Sequence, residues 1–186
     1  ADCDIRENVT MNTGTEQDHG VTEVGDHCFI MVGSHAAHDC KVGNHVTFAN
    51  NILLGGHVTI GDHVVFGGGV AVRQFVRIGE GAMIVGLSGV RADVIPFGMA
   101  HGPLADLIGL NVIGMRRRGL SKADVQRVRS AYQALFFGDG EFRARIDQVA
   151  SEYGADPLVN KIIEFIRAGK RPLTMGVMRN TADAEA

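Results

Sequence analysis

A six-residue repeat runs through residues 42–81, which read VGNHVTFANNILLGGHVTIGDHVVFGGGVAVRQFVRIGEG. Apolar residues recur at every sixth position from Val24 to Pro96, whereas a helix has a period of about 3.6 residues and a strand a period of two. The next residue is often glycine, and we expect this glycine to supply the positive φ of a tight turn. The glycines at this position are Gly25, Gly43, Gly55, Gly61, Gly67 and Gly79. Each hexapeptide therefore predicts a short strand followed by a corner.

A four-residue pattern recurs every 18 residues, as VGDH (24–27), VGNH (42–45), IGDH (60–63) and IGEG (78–81). Three hexapeptides make one triangular coil, so residues 18 apart are expected to stack and to bury the aliphatic positions. This pattern is typical of a left-handed parallel β-helix, which is a form of β-solenoid. The segment TGTEQDHG (13–20) breaks the step of six and predicts a loop at one corner.

The repeat ends after Pro96, and a helical region is expected further on. Ser121 and Asp124 form a helix-start pattern, and apolar residues at helical spacing follow it up to Gly138. Two more helices are predicted over 141–153 and 157–168. The expected organisation is a β-helix over 1–100, a linker with an arginine cluster over 101–120, a small helical domain over 121–173 and a disordered tail over 174–186.

The composition excludes several classes of protein. The chain has 18 Lys and Arg against 21 Asp and Glu, a net charge of −3, so bulk charge predicts no nucleic-acid partner. No apolar run approaches the roughly 18 residues of a membrane span, and the first residues have no signal-peptide pattern. Three cysteines without a CxxC pair predict neither a disulfide framework nor a zinc ribbon. We therefore expect a cytoplasmic protein.

The hexapeptide SHAAHD (34–39) departs from the repeat. It has alanine at both the aliphatic and the glycine position, and departures from a scaffold rule are expected at functional sites. The spacing of His35, His38 and Cys40 resembles a metal site, but Cys40 falls in an inward column while His38 points outward. Ligands on opposite sides of a strand cannot converge on one ion, so we expect no metal.

Stacking at 18 residues places His38 in one outward column with Gly56 and Gln74, and Asp39 in the next column with His57. A histidine beside a carboxylate and near a glycine N–H has the groups needed for proton abstraction with stabilisation of an oxyanion. The alternative is a surface histidine in a hydrogen-bond network. The spacing alone leaves both interpretations open.

Two further clusters of polar residues are a column of histidines and a run of arginines. His27, His45 and His63 form one corner column and are expected to point to solvent without a function. The arginines at 116–118 could clamp a diphosphate, because guanidinium groups match phosphate oxygens. A solvated charge cluster before a helix is an equally good explanation of the same residues.

Four stretches carry a resemblance to a known family: NVTMNTGT (8–15), GSHAAHDCKVGN (33–44), LGGHVTIGDHVVFGGGVAVRQF (54–75) and GLNVIGMRRRG (109–119). With the helical end, they resemble the bacterial acyl-[acyl-carrier-protein]–UDP-N-acetylglucosamine O-acyltransferases of lipid A biosynthesis. The resemblance implies transfer of a 3-hydroxyacyl group from the acyl carrier protein thioester to the sugar 3-hydroxyl. It also implies a homotrimer, with active sites between neighbouring prisms and with no metal or other cofactor.

The resemblance also implies roles for individual residues. His38 matches the general base, Asp39 the residue that orients it, and Gly56 the backbone N–H that faces the oxyanion. Gly86 matches the end stop of the acyl groove, and glycine there implies a long 3-hydroxyacyl donor. The other expected substrate contacts are His35, His57, Arg73 and Gln74 in the sugar, diphosphate and acyl cleft, and Asn111, Arg117 and Arg118 on the nucleotide. Arg73 stands where histidine is common, and Ile113 stands where an acidic residue is common.

Two other functions are compatible with the same residues. The first is acylation of a 3-amino UDP-sugar on the same scaffold, which gives an amide. The second is a structural or binding solenoid without catalysis, although the presence of His38, Asp39 and Gly56 argues against it. The chain begins at Ala1 within a coil, and the family has further coils before this point, so we expect the first coils to be missing.

Overall fold

The computed structural model describes residues 2–16 and 20–177. Short parallel strands form the three faces of a solenoid. The first face contains β1 (Asp4–Ile5), β4 (Phe29–Ile30), β7 (Thr47–Phe48), β10 (Val65–Phe66) and β13 (Met83–Ile84), extended by β15 (Gly98–His101) and β16 (Asp106–Leu110). The second face contains β2 (Thr10–Met11), β5 (His35–Ala36), β8 (Leu53–Leu54), β11 (Ala71–Val72) and β14 (Gly89–Val90). The third face contains β3 (Glu23–Val24), β6 (Lys41–Val42), β9 (Thr59–Ile60) and β12 (Arg77–Ile78).

The register of the strands follows the 18-residue step. His35 pairs with Leu53, and Leu53 pairs with Ala71, in parallel ladders. From β4 to β14 the second residue of each strand is buried, and Phe48 and Phe66 pack edge to face in the core with ring centroids 5.0 Å apart. The predicted β-solenoid followed by helices is confirmed.

The glycines that follow the strands have a different role from the predicted one. Their φ angles are not positive; the left-handed residues lie two positions later, at His27, His45, His57, His63, Gly69 and Gly81. A Cβ on Gly61 would lie 2.6 Å from the backbone nitrogen of Glu80, and one on Gly55 would lie 2.6 Å from that of Gln74. Glycine is therefore required because the next coil passes too close for a side chain, and the prediction that it supplies the turn's positive φ is wrong.

The segment predicted as a linker, 101–120, contains regular structure. Strand β16 runs antiparallel to β15, and helix α1 (Val112–Arg117) follows it. An open strand edge remains at the last coil of a solenoid, and a further strand satisfies its backbone groups. No six-residue signal marks this segment, because β16 pairs antiparallel and lies outside the coils.

The helical region has α2 (Lys122–Phe137), α3 (Phe142–Tyr153) and α4 (Pro157–Arg167). Ser121 and Asp124 form the predicted capping box at the start of α2. Arg77 joins this region to the solenoid, since its guanidinium donates to the buried carboxylate of Asp93 and to the carbonyl of Phe165. No helix in the described part of the chain is long and apolar enough to cross a membrane.

The first residues of the predicted disordered tail lie against the solenoid. The Thr174 N–H donates to the Asp93 carbonyl at 2.8 Å, and the Val177 N–H donates to the Leu107 carbonyl at 3.1 Å. The prediction of disorder is therefore wrong for 174–177, whose backbone pairs with the last coil. Residues 178–186 lie outside the described part, as does His19 in the predicted loop.

Candidate active site

His38 and Asp39 form a hydrogen-bonded pair at the corner between β5 and β6. His38 Nδ1 lies 2.9 Å from Asp39 Oδ2. The His38 side chain is 41% exposed, whereas the Asp39 side chain is fully buried. An ionised carboxylate can only accept, so Nδ1 of the imidazole carries the proton and Nε2 of the neutral ring is left to accept another. This is the tautomer that a general base at Nε2 requires.

The Asp39 carboxylate is held by the loop that precedes β3. The Thr15 N–H donates to Oδ1 at 3.0 Å and to Oδ2 at 3.2 Å, and the Thr15 hydroxyl donates to Oδ2 at 2.7 Å. Burial alone would raise the pKa of Asp39, but the hydrogen bonds from Thr15 and His38 hold it below its ordinary value. Asp39 therefore stays ionised beside His38 throughout the neutral range.

Gly56 packs directly against the His38 ring. A Cβ on Gly56 would lie 2.7 Å from both Nε2 and Cε1 of His38. The Gly56 carbonyl accepts from the Phe75 N–H at 2.9 Å, and in the described part of the chain the Gly56 N–H makes no backbone hydrogen bond. The column that the 18-residue spacing predicted is thus a close contact between His38 and the backbone of Gly56.

His57 lies between His38 and an aromatic ring that sequence reasoning missed. The rings of His38 and His57 are perpendicular with centroids 4.9 Å apart, and the rings of His57 and Phe75 are parallel at 4.3 Å. Arg171 reaches the same place, with its guanidinium carbon 5.4 Å from the centroid of Phe75. Phe75 lies 18 residues after His57, so the stacking rule could have found it; no sequence signal indicates Arg171.

The other predicted cleft residues lie near the same corner. His35 points outward from β5, and its Nδ1 lies 2.8 Å from the Thr10 hydroxyl. Arg73 and Gln74 are exposed at the turn one coil beyond Gly56. The structure therefore brings these three together with the His38 pair on one side of the prism.

A metal ion is a poor match for this corner. His38, Asp39 and His57 offer ligand atoms within 4.8 Å of one another. Both Asp39 oxygens, however, already accept hydrogen bonds from Thr15, and one of them also accepts from His38. Cys40 is buried, its thiol donates to the Gly55 carbonyl at 3.2 Å, and burial raises its pKa. The absence of a metal remains a prediction that the donor geometry favours.

Asn111, Arg117 and Arg118 lie at a different corner from His38. They line a cavity of about 410 Å³ between α1 and the first face, together with Met83, Met99 and other apolar residues. This corner joins the third face to the first, whereas His38 lies where the second face meets the third. Within one chain, the predicted nucleotide residues and the predicted base are not brought together.

Two of the three predicted nucleotide contacts have structural partners within the chain. Asn111 caps α1 by accepting from the Gly114 N–H at 2.9 Å, and its amide donates to the Gly81 carbonyl at 3.0 Å. Arg118 pairs with Glu80, and its guanidinium occupies the space that a Cβ on Gly81 would fill. Arg117, in contrast, is exposed at the cavity.

Glu80 links the cavity wall to the helical region. It pairs with Arg118 and also with Lys161 of α4. Burial would raise the pKa of Glu80, but its hydrogen bonds with Lys161 and Arg118 lower it below the ordinary value. The carboxylate therefore fixes α1, and with it Arg117, on the solenoid.

The histidine column was expected to point to solvent; His27 and His45 are exposed, and the prediction is wrong only for His63, which is half-buried. His27, His45 and His63 stack with centroids 4.9 and 4.7 Å apart, and His45 and His63 line the cavity. Burial, followed by the charge of Arg118, lowers the pKa of His63. The surroundings of His63 therefore favour the uncharged form of the ring at the cavity.

Gly86 lies at the remaining corner, where the first face meets the second. A Cβ on Gly86 would lie 3.1 Å from the Gly68 carbonyl oxygen, so a side chain there requires a shift of a few tenths of an ångström. The next residue, Leu87, is 81% exposed. An apolar surface therefore adjoins Gly86 at the position predicted for the end of an acyl groove.

Comparison with known proteins places this arrangement in a family. Residues 93–174 match the family model described as domain 2 of UDP-N-acetylglucosamine O-acyltransferase. The chain is 54% identical over 173 residues to the acyl-[acyl-carrier-protein]–UDP-N-acetylglucosamine O-acyltransferase of Azorhizobium caulinodans, covering 92% of this chain and 64% of that protein. The solved structure of LpxA from Acinetobacter baumannii has a TM-score of 0.89 at 40% identity, covering 93% of this chain and 67% of that one. The UDP-N-acetylglucosamine acyltransferase structure from Campylobacter jejuni has a TM-score of 0.82 at 38% identity, covering 95% and 71%.

The chain belongs to the UDP-N-acetylglucosamine acyltransferase family. It spans 62–64% of the length of the curated relatives it matches. As a member of this family, it has the His38 and Asp39 pair on one corner of the prism and Arg117 on another.

Proposed function

We propose that this chain carries the catalytic base of an acyl-[acyl-carrier-protein]–UDP-N-acetylglucosamine O-acyltransferase. The reaction moves a 3-hydroxyacyl group from acyl carrier protein to the 3-hydroxyl of UDP-N-acetylglucosamine, the first step of lipid A biosynthesis, in the cytoplasm. The main support for the proposal is that His38, hydrogen-bonded to Asp39, packs against the backbone of Gly56 in a chain of this family.

The geometry supports a direct acyl transfer. His38 Nε2 takes the proton of the sugar 3-hydroxyl as that oxygen attacks the thioester carbonyl carbon. The Gly56 N–H donates to the oxyanion of the tetrahedral intermediate. When the intermediate collapses, the C–S bond breaks, and the proton on Nε2 goes to the thiolate of acyl carrier protein. Asp39 stays ionised and stabilises the imidazolium that forms between these steps.

The assembly that we propose is a homotrimer. A sugar nucleotide that touches both His38 and Arg117 must bridge two corners of the prism, which one chain keeps apart. A head-to-tail contact places one corner of a copy against a different corner of the next, and a rotation of 120° closes the ring after three copies. Each site would then combine His38 of one copy with Arg117 of its neighbour.

The test is an assay of the full-length protein with 3-hydroxyacyl carrier protein and UDP-N-acetylglucosamine, with the product detected by mass spectrometry. We expect an ester, which mild base cleaves; an amide formed only from a 3-amino UDP-sugar would favour N-acylation instead. His38→Ala should lower the rate by roughly 10²–10⁴-fold. His101→Ala is the matched control, because His101 is exposed at the end of β15 and does not line the cavity. Failure to acylate either sugar, or equal rates for the two variants, would refute the proposal.

A further inference from the structure

We propose that Thr15 is a positioning residue for the catalytic pair, acting through Asp39; this inference rests on the proposed function. Thr15 belongs to the segment between β2 and β3 (residues 12–22), which departs from the six-residue repeat. The sequence predicted only a loop there. In the structure, Thr15 and Thr22 of this loop both form hydrogen bonds with Asp39.

The contacts hold both the side chain and the backbone of Asp39. At the start of the loop, Thr15 donates its N–H and its hydroxyl to the carboxylate, with the hydroxyl 2.7 Å from Oδ2. At its end, the Thr22 hydroxyl accepts from the Asp39 N–H at 2.9 Å. Asp39 has a left-handed backbone with φ of 59°, a region that aspartate tolerates better than most residues. The loop therefore fixes Asp39 at three of its polar groups.

The oxygen that matters most is Oδ2, because it links the Thr15 hydroxyl to the His38 ring. It accepts from the Thr15 hydroxyl at 2.7 Å and from His38 Nδ1 at 2.9 Å, with the Thr15 N–H farther away at 3.2 Å. The hydroxyl thus sets the rotation of the carboxylate plane, and through it the orientation of the imidazole over Gly56. If the hydroxyl is removed, the donors left on the carboxylate are His38 Nδ1 and the Thr15 N–H, and this N–H can follow either oxygen.

The burial of Asp39 supports the same assignment. The members of its column one and two coils further on, His57 and Phe75, are partly exposed and exposed, whereas the Asp39 side chain is inaccessible. Because the three residues are 18 apart, they occupy equivalent corner positions in successive coils. The contacts of Thr15 and Thr22 with Asp39 account for the difference, because both residues lie directly against it.

The experiment compares Thr15→Val with Thr13→Val in the full-length protein. Both variants exchange a hydroxyl for a methyl group in the same loop, and Thr13 is exposed. We expect Thr15→Val to lower kcat by roughly 10-fold or more, because catalytic groups must be held closely, with KM for both substrates within about 2-fold. Thr15→Ser, which restores the hydroxyl, should recover most of the loss, and Thr13→Val should behave as the parent.

A second readout does not depend on turnover. In NMR spectra of protein with ¹⁵N-labelled histidine, the Nδ1–H of His38 should give a resonance protected from exchange with water in the parent and in Thr15→Ser. Faster exchange with water should broaden this resonance in Thr15→Val. Thr22→Val should show the same broadening, so the inference stays testable if Thr15→Val melts below the assay temperature. Unchanged kcat and an unchanged resonance in Thr15→Val would overturn the inference, as would a Thr15→Ser variant as slow as Thr15→Val. A fully active His38→Ala variant would refute the proposed function. The His38 resonance would still show whether Thr15 positions the His38–Asp39 pair.

Discussion

The His38 ring packs against Gly56, so closely that a Cβ at Gly56 would lie 2.7 Å from His38 Nε2. The two residues are 18 apart, one coil of the solenoid. Stacking of consecutive coils therefore places the His38 ring against the backbone of Gly56 without any long-range loop.

Gly56→Ala should displace the His38 ring and lower kcat by about 100-fold, since misplacement by about 1 Å can cost that much. The added methyl group meets the ring itself, and the partly exposed ring can swing aside, so the fold should be retained. Gly68→Ala controls for stability, because its Cβ would meet nothing closer than 3.5 Å. Steady-state kinetics measure kcat, and thermal melting measures stability. Equal kcat in Gly56→Ala and the parent would show that the contact has no catalytic consequence.

Asp39→Asn should change how stability depends on pH. The pKa of Asp39 is held below its ordinary value of 3.8, so its ionised form contributes stability above that pH and loses it as the pH falls through the lowered pKa. The melting temperature of Asp39→Asn should therefore lie below that of the parent at pH 7, and the gap should narrow toward pH 3. Melting curves at several pH values measure the gap. A gap that stays constant would contradict the assigned hydrogen bonds.

The repeat made most of the fold predictable, because every coil restates the same inward and outward pattern. His38, Gly56 and Gln74 could be assigned to one column by arithmetic alone. The same arithmetic gave the wrong reason for Gly61, because the distance between coils, and not the turn, excludes a side chain there.

The remainder of the site depends on segments outside the repeat. Thr15 lies in a loop whose path has no period, and Arg118 meets Glu80 only because α1 docks against the last coils. Such contacts join residues far apart in sequence through a tertiary arrangement. Neither propensity nor spacing encodes them.

Arg117→Ala should raise KM for the sugar nucleotide by roughly 10-fold, the value of one charge-assisted hydrogen bond, with kcat nearly unchanged. The reason is that its proposed partner is a phosphate that is charged in both the ground state and the transition state. Arg116→Ala is the neighbouring control, because Arg116 is exposed and does not line the cavity. Initial rates over a range of nucleotide concentrations separate the two constants. An effect confined to kcat would contradict the proposed role.

Mixing two impaired variants should restore activity if each site is shared between copies. His38→Ala lacks the base and Arg117→Ala lacks the clamp, so a ring that contains both variants regenerates one intact site. Random reassembly of equal amounts should give about a quarter of the parent's sites in a closed ring of three. Rates measured below the parent's KM, before and after the two variants are unfolded and refolded together, provide the test. Activity no higher than the mean of the separate variants would show that each site lies within one chain.

Gly86→Met should shorten the preferred acyl donor. The φ of Gly86 is not in the left-handed region, and its Cβ would meet the Gly68 carbonyl at 3.1 Å, so a side chain can be accepted with a small backbone shift and would project over the apolar surface at this corner. Each buried methylene contributes about 0.8 kcal/mol, so blocking the last four would cost a long donor roughly 3 kcal/mol, or about a hundredfold in kcat/KM. A short donor would lose nothing, because it does not reach this coil. Competition between donors of graded length in the parent and in Gly86→Met measures the order of preference. An identical order in both proteins would mean that the acyl chain does not pass Gly86.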